Sequence, residues 1–336
     1  MSKVTVRAPA NIAFIKYWGN TEDNLPLNSS ISMTLDNCQT TTTVELVNEK
    51  YDLIEIADEN GEYQELKRTS IKGVKAYEQI ERIRNLSGKS EHVCVKSINS
   101  FPTSAGIASS ASGFCALTSA LLLAYDLQAQ FDDKKELSKL VRLSGSGSAA
   151  RSVMSGFVEL IGGDAHHASY AVQIADQKHW DLVDVIALID SGMKKTPSSE
   201  GHRTAVTSPY FEARLIEMQD RIKYARKALT EKKFEKLGKT IEEDTISMHT
   251  VMMTSKPPLF YWAPGTVEVM NNVMKWREED NILAYFSIDA GANVHVICEA
   301  KDADEVNKRL QALSFVQSTI VNHPAQGVHQ IEDHLF

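Results

Sequence analysis

A lysine and an aspartate stand at the ends of two apolar runs, where an unpaired charge is costly. Lys16 closes Ala8-Pro-Ala-Asn11-Ile-Ala-Phe-Ile, directly before Tyr17, Trp18, Gly19 and Asn20. Asp289 follows Ser287-Ile and precedes the turn Ala-Gly291-Ala-Asn293. Each has a plainer reading alone: an edge-strand lysine that snorkels to water, and an aspartate that caps a turn. Together they suggest one ion pair, Lys16 with Asp289, which would keep the carboxylate ionised and ready to accept a proton.

Two loops of small residues add a second kind of chemistry. The first runs Pro102-Thr-Ser-Ala-Gly106-Ile-Ala108-Ser109-Ser110-Ala-Ser-Gly113 and leads into an Ala/Leu-rich stretch. The second is Ser144-Gly-Ser146-Gly-Ser148-Ala-Ala-Arg151-Ser152. Small residues let the backbone approach an anion closely, and a helix starting beyond adds free N–H groups and the positive end of its dipole. Two such loops, one with an arginine, point to a phosphate-rich ligand. The first lacks the lysine of a P-loop. The second fits G-x-G-x-x-A over Gly145 to Ala150, but a helix rather than a strand precedes it, against a dinucleotide fold. Ser191-Gly-Met-Lys194 fits Ser-x-x-Lys without the other motifs that pattern needs. The histidines show no metal-ligand spacing, and His249 and His295 are read as structural.

The elements that must carry these residues alternate throughout. Val4 and Val6, Ile31 to Leu35 and Thr40 to Leu46 read as strands, with a hairpin at Glu59-Asn-Gly-Glu62. Lys72 to Arg84 is helical, and the strand His92 to Ile98 feeds the first loop and a helix from Phe114 to Leu127. A helix over Leu137 to Leu143 precedes the second loop, and Gly156 to Ile161 and Val183 to Ile189 read as strands. Helices are expected over Phe211 to Leu229, Lys232 to Asp244, Thr266 to Trp276 and Ala303 to Leu313, and strands over Ala284 to Ile288 and Val294 to Cys298. The class is α+β, in two parts meeting at a soft boundary near residues 185 to 200.

With 336 residues, 43% apolar and 24% charged, the chain can bury a large core. A net charge of −8 argues against nucleic acid as a partner. Four cysteines without paired spacing indicate neither zinc nor a disulfide framework. No signal-peptide core and no membrane span are visible, so a cytoplasmic protein with no membrane partner is expected.

Taken in order, these segments resemble the mevalonate diphosphate decarboxylases, of the superfamily that includes galactokinase, homoserine kinase and mevalonate kinase. The resemblance runs through Ile15-Lys16-Tyr17-Trp18-Gly19, Leu25-Pro-Leu-Asn28-Ser-Ser-Ile-Ser32, Asn99 to Gly113, Gly145 to Glu159, Met193 to Ser199, Met248-His249 with Pro257-Pro258, and Ile288 to Gly291. It implies an N-terminal ribosomal-protein-S5-like β/α part (residues 1–188) and a C-terminal α+β sandwich (residues 189–336), with the active site in the cleft between them. The implied activity is ATP- and Mg2+-dependent decarboxylation of mevalonate 5-diphosphate to isopentenyl diphosphate, and the implied assembly is a homodimer.

By the same resemblance, Asp289, Lys16 and Arg151 are the catalytic set, Asp289 handling the 3-hydroxyl and Arg151 holding the substrate carboxylate. Tyr17, Asn20, Asn28, Ser146, Ser148, Arg151 and Ser198 would contact substrate. Pro102, Gly106, Ala108, Ser109, Ser110 and Lys194 (with Lys195) would contact nucleotide, Ser110 also near Mg2+. The sequence departs from the family at Asn20, where a second lysine usually faces the diphosphate. Lys72 and Arg68 are the nearest candidates for an arginine usual before the first loop. The loss of a cation at Asn20 leaves open a 5-monophosphate substrate giving isopentenyl phosphate. A 3-hydroxyl kinase that stops after phosphorylation is the further alternative.

Overall fold

The structure, a computed structural model, describes residues 3–21, 25–102, 109–189 and 198–336. Strand β1 (Val4–Ile15) is buried along almost its whole length, because helices cover both faces of the sheet it lies in. It pairs antiparallel with the long β2 (Ser30–Val47), and the register shifts between Pro9 and Ala10. Proline cannot donate to a ladder and is tolerated at such a bulge. The β3 (Leu53–Ala57) and β4 (Tyr63–Glu65) hairpin turns through Gly61, and β5 (His92–Asn99) lies between β2 and β3. Strands β6 (Phe157–Leu160) and β7 (Ala171–Ala175) extend the sheet from the far end of β2.

On one face of this sheet pack α1 (Ile71–Ser87), α2 (Ser109–Ala124), α3 (Gln128–Asp132) and α4 (Lys134–Arg142). Their ends are written in the sequence. Ser70 accepts the Gly73 N–H at the start of α1, Gly88 ends it in the left-handed region, and Asp133 accepts the Lys135 and Glu136 N–H groups of α4.

The second sheet runs β11 (Ser318–Asn322), β8 (Leu182–Leu188), β10 (Val294–Glu299), β9 (Ala284–Ser287). Between the two sheets lie α6 (Phe211–Thr230) and α7 (Phe234–Thr254), while α8 (Pro264–Glu279) and α9 (Ala300–Gln311) cover the outer face. The short α5 (Ser198–Thr204) lies beside Trp18. The chain ends in β12 (His329–Ile331), which returns to the first sheet and pairs with β1.

The α+β expectation holds, with differences of physical origin. Helix α2 begins at Ser109 rather than Phe114, so both loop serines occupy its first turn. Helix α7 continues ten residues past Asp244 because its inner face stays apolar through Met248, Val251 and Met252. Strands β7, β11 and β12 were not anticipated. The last two are short, largely polar edge strands whose partners lie far away in sequence. Strand β8 ends at the position where the sequence reading divides the chain, yet it pairs within the second sheet.

Candidate active site

The end of β1 delivers Lys16 between the two parts, where it is almost fully buried. Its ammonium donates to Asp289 Oδ1 at 2.5 Å and to Ser287 Oγ at 2.7 Å, and the Ser287 hydroxyl donates to the Ala13 carbonyl. Lysine and aspartate therefore meet as their types implied, and Asp289 keeps partial exposure on its other side, at 29%. The backbone at Lys16 is fixed separately. Its N–H donates to Asp244 Oδ2 of α7, and its carbonyl accepts from Asn28 Nδ2 and Arg214 Nη2. Asp244 in turn pairs with Arg214 and Arg221 of α6, so one buried carboxylate ties the first sheet to the second part.

His249, on α7, lies against the carbonyl of Ile288 at 3.3 Å. Burial pushes its imidazole down to about 4, with Lys16 adding to that effect, so it is neutral at physiological pH. It supports the strand end that carries Asp289, in keeping with its structural reading.

Arg151 lies in a 3-10 turn, Gly147–Ser152, and is buried. Its Nη1 donates to Ser30 Oγ at 2.6 Å and its Nε to Asn11 Oδ1 at 3.2 Å. Asn11 Nδ2 holds the Ser148 carbonyl and Ser152 Oγ, which locks the second loop onto β1. Burial lowers the guanidinium from its ordinary value, and the Asp289 carboxylate works the other way.

Tyr17 joins the two halves. Its hydroxyl receives backbone N–H groups of Gly147 and Ser148, and burial raises the phenol above its usual value. The Arg151 guanidinium lies 5.9 Å from the ring centroid. A Cβ at Gly147 would stand 2.6 Å from the Tyr17 hydroxyl, so the approach requires glycine there. Behind Tyr17 stacks His202 of α5, ring centroids 4.8 Å apart. The Gly19 N–H donates to His202 Nδ1, so the ring proton sits on Nε2; burial pulls this imidazole down to about 3.

Ser146 and Ser148 are hydrogen-bonded to each other through their hydroxyls at 3.0 Å. Asn28 is a positioning group, holding Lys16 O and the Ser29 carbonyl. Asn20 forms an isolated bridge with Pro26, and its buried Oδ1 has no hydrogen-bond partner among the described residues. Ser198 is exposed at the start of α5. Pro102 ends the segment after β5, and Ser109 and Ser110 open α2. Gly106, Ala108, Lys194 and Lys195 lie outside the described residues.

A cavity beside the first turn of α2 is lined by Thr40, Ser97, Asn99, Ser109 and Ser110, with Lys72 at its edge and an apolar back of Ile54, Leu66 and Phe114. An apolar slot with a few polar groups next to a helix N-terminus suits a base and its phosphates. Arg68, by contrast, lies over the Tyr77 ring and donates to the Asp52 carbonyl. Asp244 and His202 carry no motif of their own, while Ser287 and Ser30 lie in the Asp289 and Asn28 segments without a role attached to them. Asn11 had one signal, an amide inside an otherwise apolar run.

Comparison with known proteins finds the same family in both halves. Residues 8–171 match the diphosphomevalonate decarboxylase-like N-terminal domain, and residues 184–333 match the mevalonate 5-diphosphate decarboxylase C-terminal domain. The chain is 36% identical to a diphosphomevalonate decarboxylase of Candida albicans, over 91% of its own length and 87% of the relative's. Its fold is similar to that of mevalonate diphosphate decarboxylase from Staphylococcus aureus, with TM-score 0.89, 33% identity and 98% of each chain covered. It is also similar to MDDEF in complex with MVAPP, AMPPCP and magnesium, with TM-score 0.86, 32% identity and coverage of 98% and 99%.

Proposed function

The chain belongs to the diphosphomevalonate decarboxylase family, and from that premise we propose that it performs ATP-dependent decarboxylation of mevalonate 5-diphosphate. The observation that carries this reading is the Lys16–Asp289 pair, brought together from distant segments, with the Arg151 guanidinium 5.9 Å from the ring of Tyr17, the residue next to Lys16. The products are isopentenyl diphosphate, ADP, phosphate and CO2.

The chemistry assigns a task to each group. Hydroxide is a poor leaving group, so a 3-hydroxy acid does not fragment readily. Asp289, paired with the Lys16 ammonium, orients the tertiary hydroxyl and takes its proton as the oxygen bonds to the γ-phosphorus and ADP leaves. The C–O bond to the new phosphate then breaks. As it does, the bond to the carboxylate carbon supplies the electron pair of the alkene, and CO2 departs. Arg151 fixes the carboxylate until that step, and Tyr17 with the serine loop shapes the substrate pocket.

In this reading the nucleotide binds at the cavity beside the first turn of α2. Among the described residues no cluster of three His, Cys, Asp or Glu side chains could hold a metal ion alone. Such a sparse donor set suits Mg2+ carried on nucleotide phosphates, with the Ser110 hydroxyl as the adjacent protein donor. The ion supplies charge neutralisation on the transferring phosphoryl group.

No helix among the described residues is long and apolar enough to cross a membrane. Four unpaired cysteines, three of them buried, and use of ATP support a reducing, cytoplasmic setting. A homodimer is the assembly the family resemblance supports, and sedimentation analysis tests it.

The deciding experiment follows CO2 and ADP together from mevalonate 5-diphosphate, with mevalonate 5-phosphate run in parallel. Equal release of both from the diphosphate is expected. ADP without CO2 would identify a 3-hydroxyl kinase instead, and turnover confined to the monophosphate would reassign the substrate.

A further inference from the structure

Lys16 stands just past the end of β1, and side chains rather than a strand partner take up its backbone groups. Its N–H donates to Asp244 Oδ2 at 2.7 Å, and its carbonyl accepts from Asn28 Nδ2 at 3.0 Å and Arg214 Nη2 at 3.1 Å. Asp244 and Arg214 are both buried, at 0% and 2% exposure, and pair with each other at 3.0 Å. Arg214 also donates Nη1 to the Asp244 carbonyl, so the two form one unit reaching from α6 and α7 to the first sheet.

The far end of the same lysine meets Ser287, fully buried at the end of β9 in the Ser287-Ile-Asp289 run. A hydroxyl has one proton to give, and Ser287 donates it to the Ala13 carbonyl at 2.9 Å. Towards the Lys16 ammonium, 2.7 Å away, it therefore offers only lone pairs. Ala13 lies on β1 itself, so this one hydroxyl ties down both the strand and the ammonium beyond its end. A lysine stem has many rotamers to lose. Holding it at both ends removes that freedom before substrate arrives.

We propose that Ser287 and Asp244 are positioning residues for the phosphoryl-transfer step. Ser287 fixes the Lys16 ammonium, Asp244 braced by Arg214 fixes the Lys16 backbone, and the lysine so held places the Asp289 carboxylate. Both side chains are fully buried, so neither touches substrate and each acts through Lys16. The assignment rests on the decarboxylase reading above and extends it to residues behind the reacting groups.

Ser287→Ala and Asp244→Asn are each made in the native and in the Lys16→Met background, and thermal melting checks the fold. In the native background Ser287→Ala is expected to lower kcat for CO2 release about ten- to a hundredfold. Asp244→Asn, which keeps an oxygen for the Lys16 N–H, should lower it less. KM for either substrate should stay within about threefold. In the Lys16→Met background neither change should cost more than about twofold, because the residue they act through is gone. Losses of full size in that background, or losses carried by KM, overturn the proposal. Should Asp244→Asn fail to fold, Ser287→Ala decides. NMR of the lysine ammonium groups, with the Lys16 signal assigned by its loss in Lys16→Met, reads the same contact without turnover. Ser287→Ala should shift that signal, and an unmoved signal overturns the proposal. If the native enzyme releases no CO2 from the diphosphate, the decarboxylase reading fails instead, and the ammonium spectrum still decides whether Ser287 holds Lys16.

Discussion

Lys16 and Asp289 meet at 2.5 Å across 273 residues of chain, one delivered by the first strand and the other by the end of β9. The ammonium is buried and the carboxylate half open, so the pair has a closed side that fixes it and an open side that can reach a hydroxyl.

Replacing Asp289 by Asn keeps the shape and removes the base. Turnover should fall by roughly 10²- to 10⁴-fold, with KM for ATP changed little. Steady-state CO2 release measures this, and near-normal turnover would sink the role assigned to Asp289.

At Arg151, lysine is not a conservative change. The guanidinium spans Ser30 Oγ and Asn11 Oδ1 through two nitrogens, whereas an ammonium cannot reproduce that fork. Arg151→Lys should lower kcat/KM for the phosphorylated mevalonate by about ten- to a hundredfold without moving KM for ATP. Equal losses for both substrates would point to collapse of the loop rather than a carboxylate clamp.

Gly147→Ala tests the packing of Tyr17 on the second loop. The added methyl would stand 2.6 Å from the phenol oxygen, so Tyr17 must shift or the turn must open. We expect a destabilisation of about 1–3 kcal/mol and a larger loss in substrate affinity than in nucleotide affinity. Paired with Tyr17→Phe, the alanine change should cost less than in the native background. Strict additivity would argue that the two residues do not act through this contact.

His249 makes stability depend on pH. Its imidazole titrates near 4 in the fold and near 6.5 when unfolded, so between these values the unfolded chain binds the extra proton. Its contribution is therefore complete above about pH 6.5 and lost as the pH falls towards 4, about 3 kcal/mol in all. Denaturant melts from pH 7.5 to 5 should show a steeper decline for the native protein than for His249→Asn. Identical slopes would remove His249 as the cause.

The sequence by itself determined which residue types had to be reactive. A lysine and an aspartate ending apolar runs suggested a pair, and two loops of glycine and serine pointed to close backbone approach. Helix ends at Ser70, Gly88 and Asp133 were equally local, because a cap involves only residues a few positions apart. The tertiary structure decided what those residues lean on. Ser287 and Asp244 around Lys16, Ser30 around Arg151 and His202 behind Tyr17 come from segments whose local patterns say nothing about one another. The same holds for β11 and β12, whose partners are far back in the chain. Hydrophobic periodicity reports the face an element buries, not the element it meets. The surroundings that set a charge therefore appear only when the sheets close on one another.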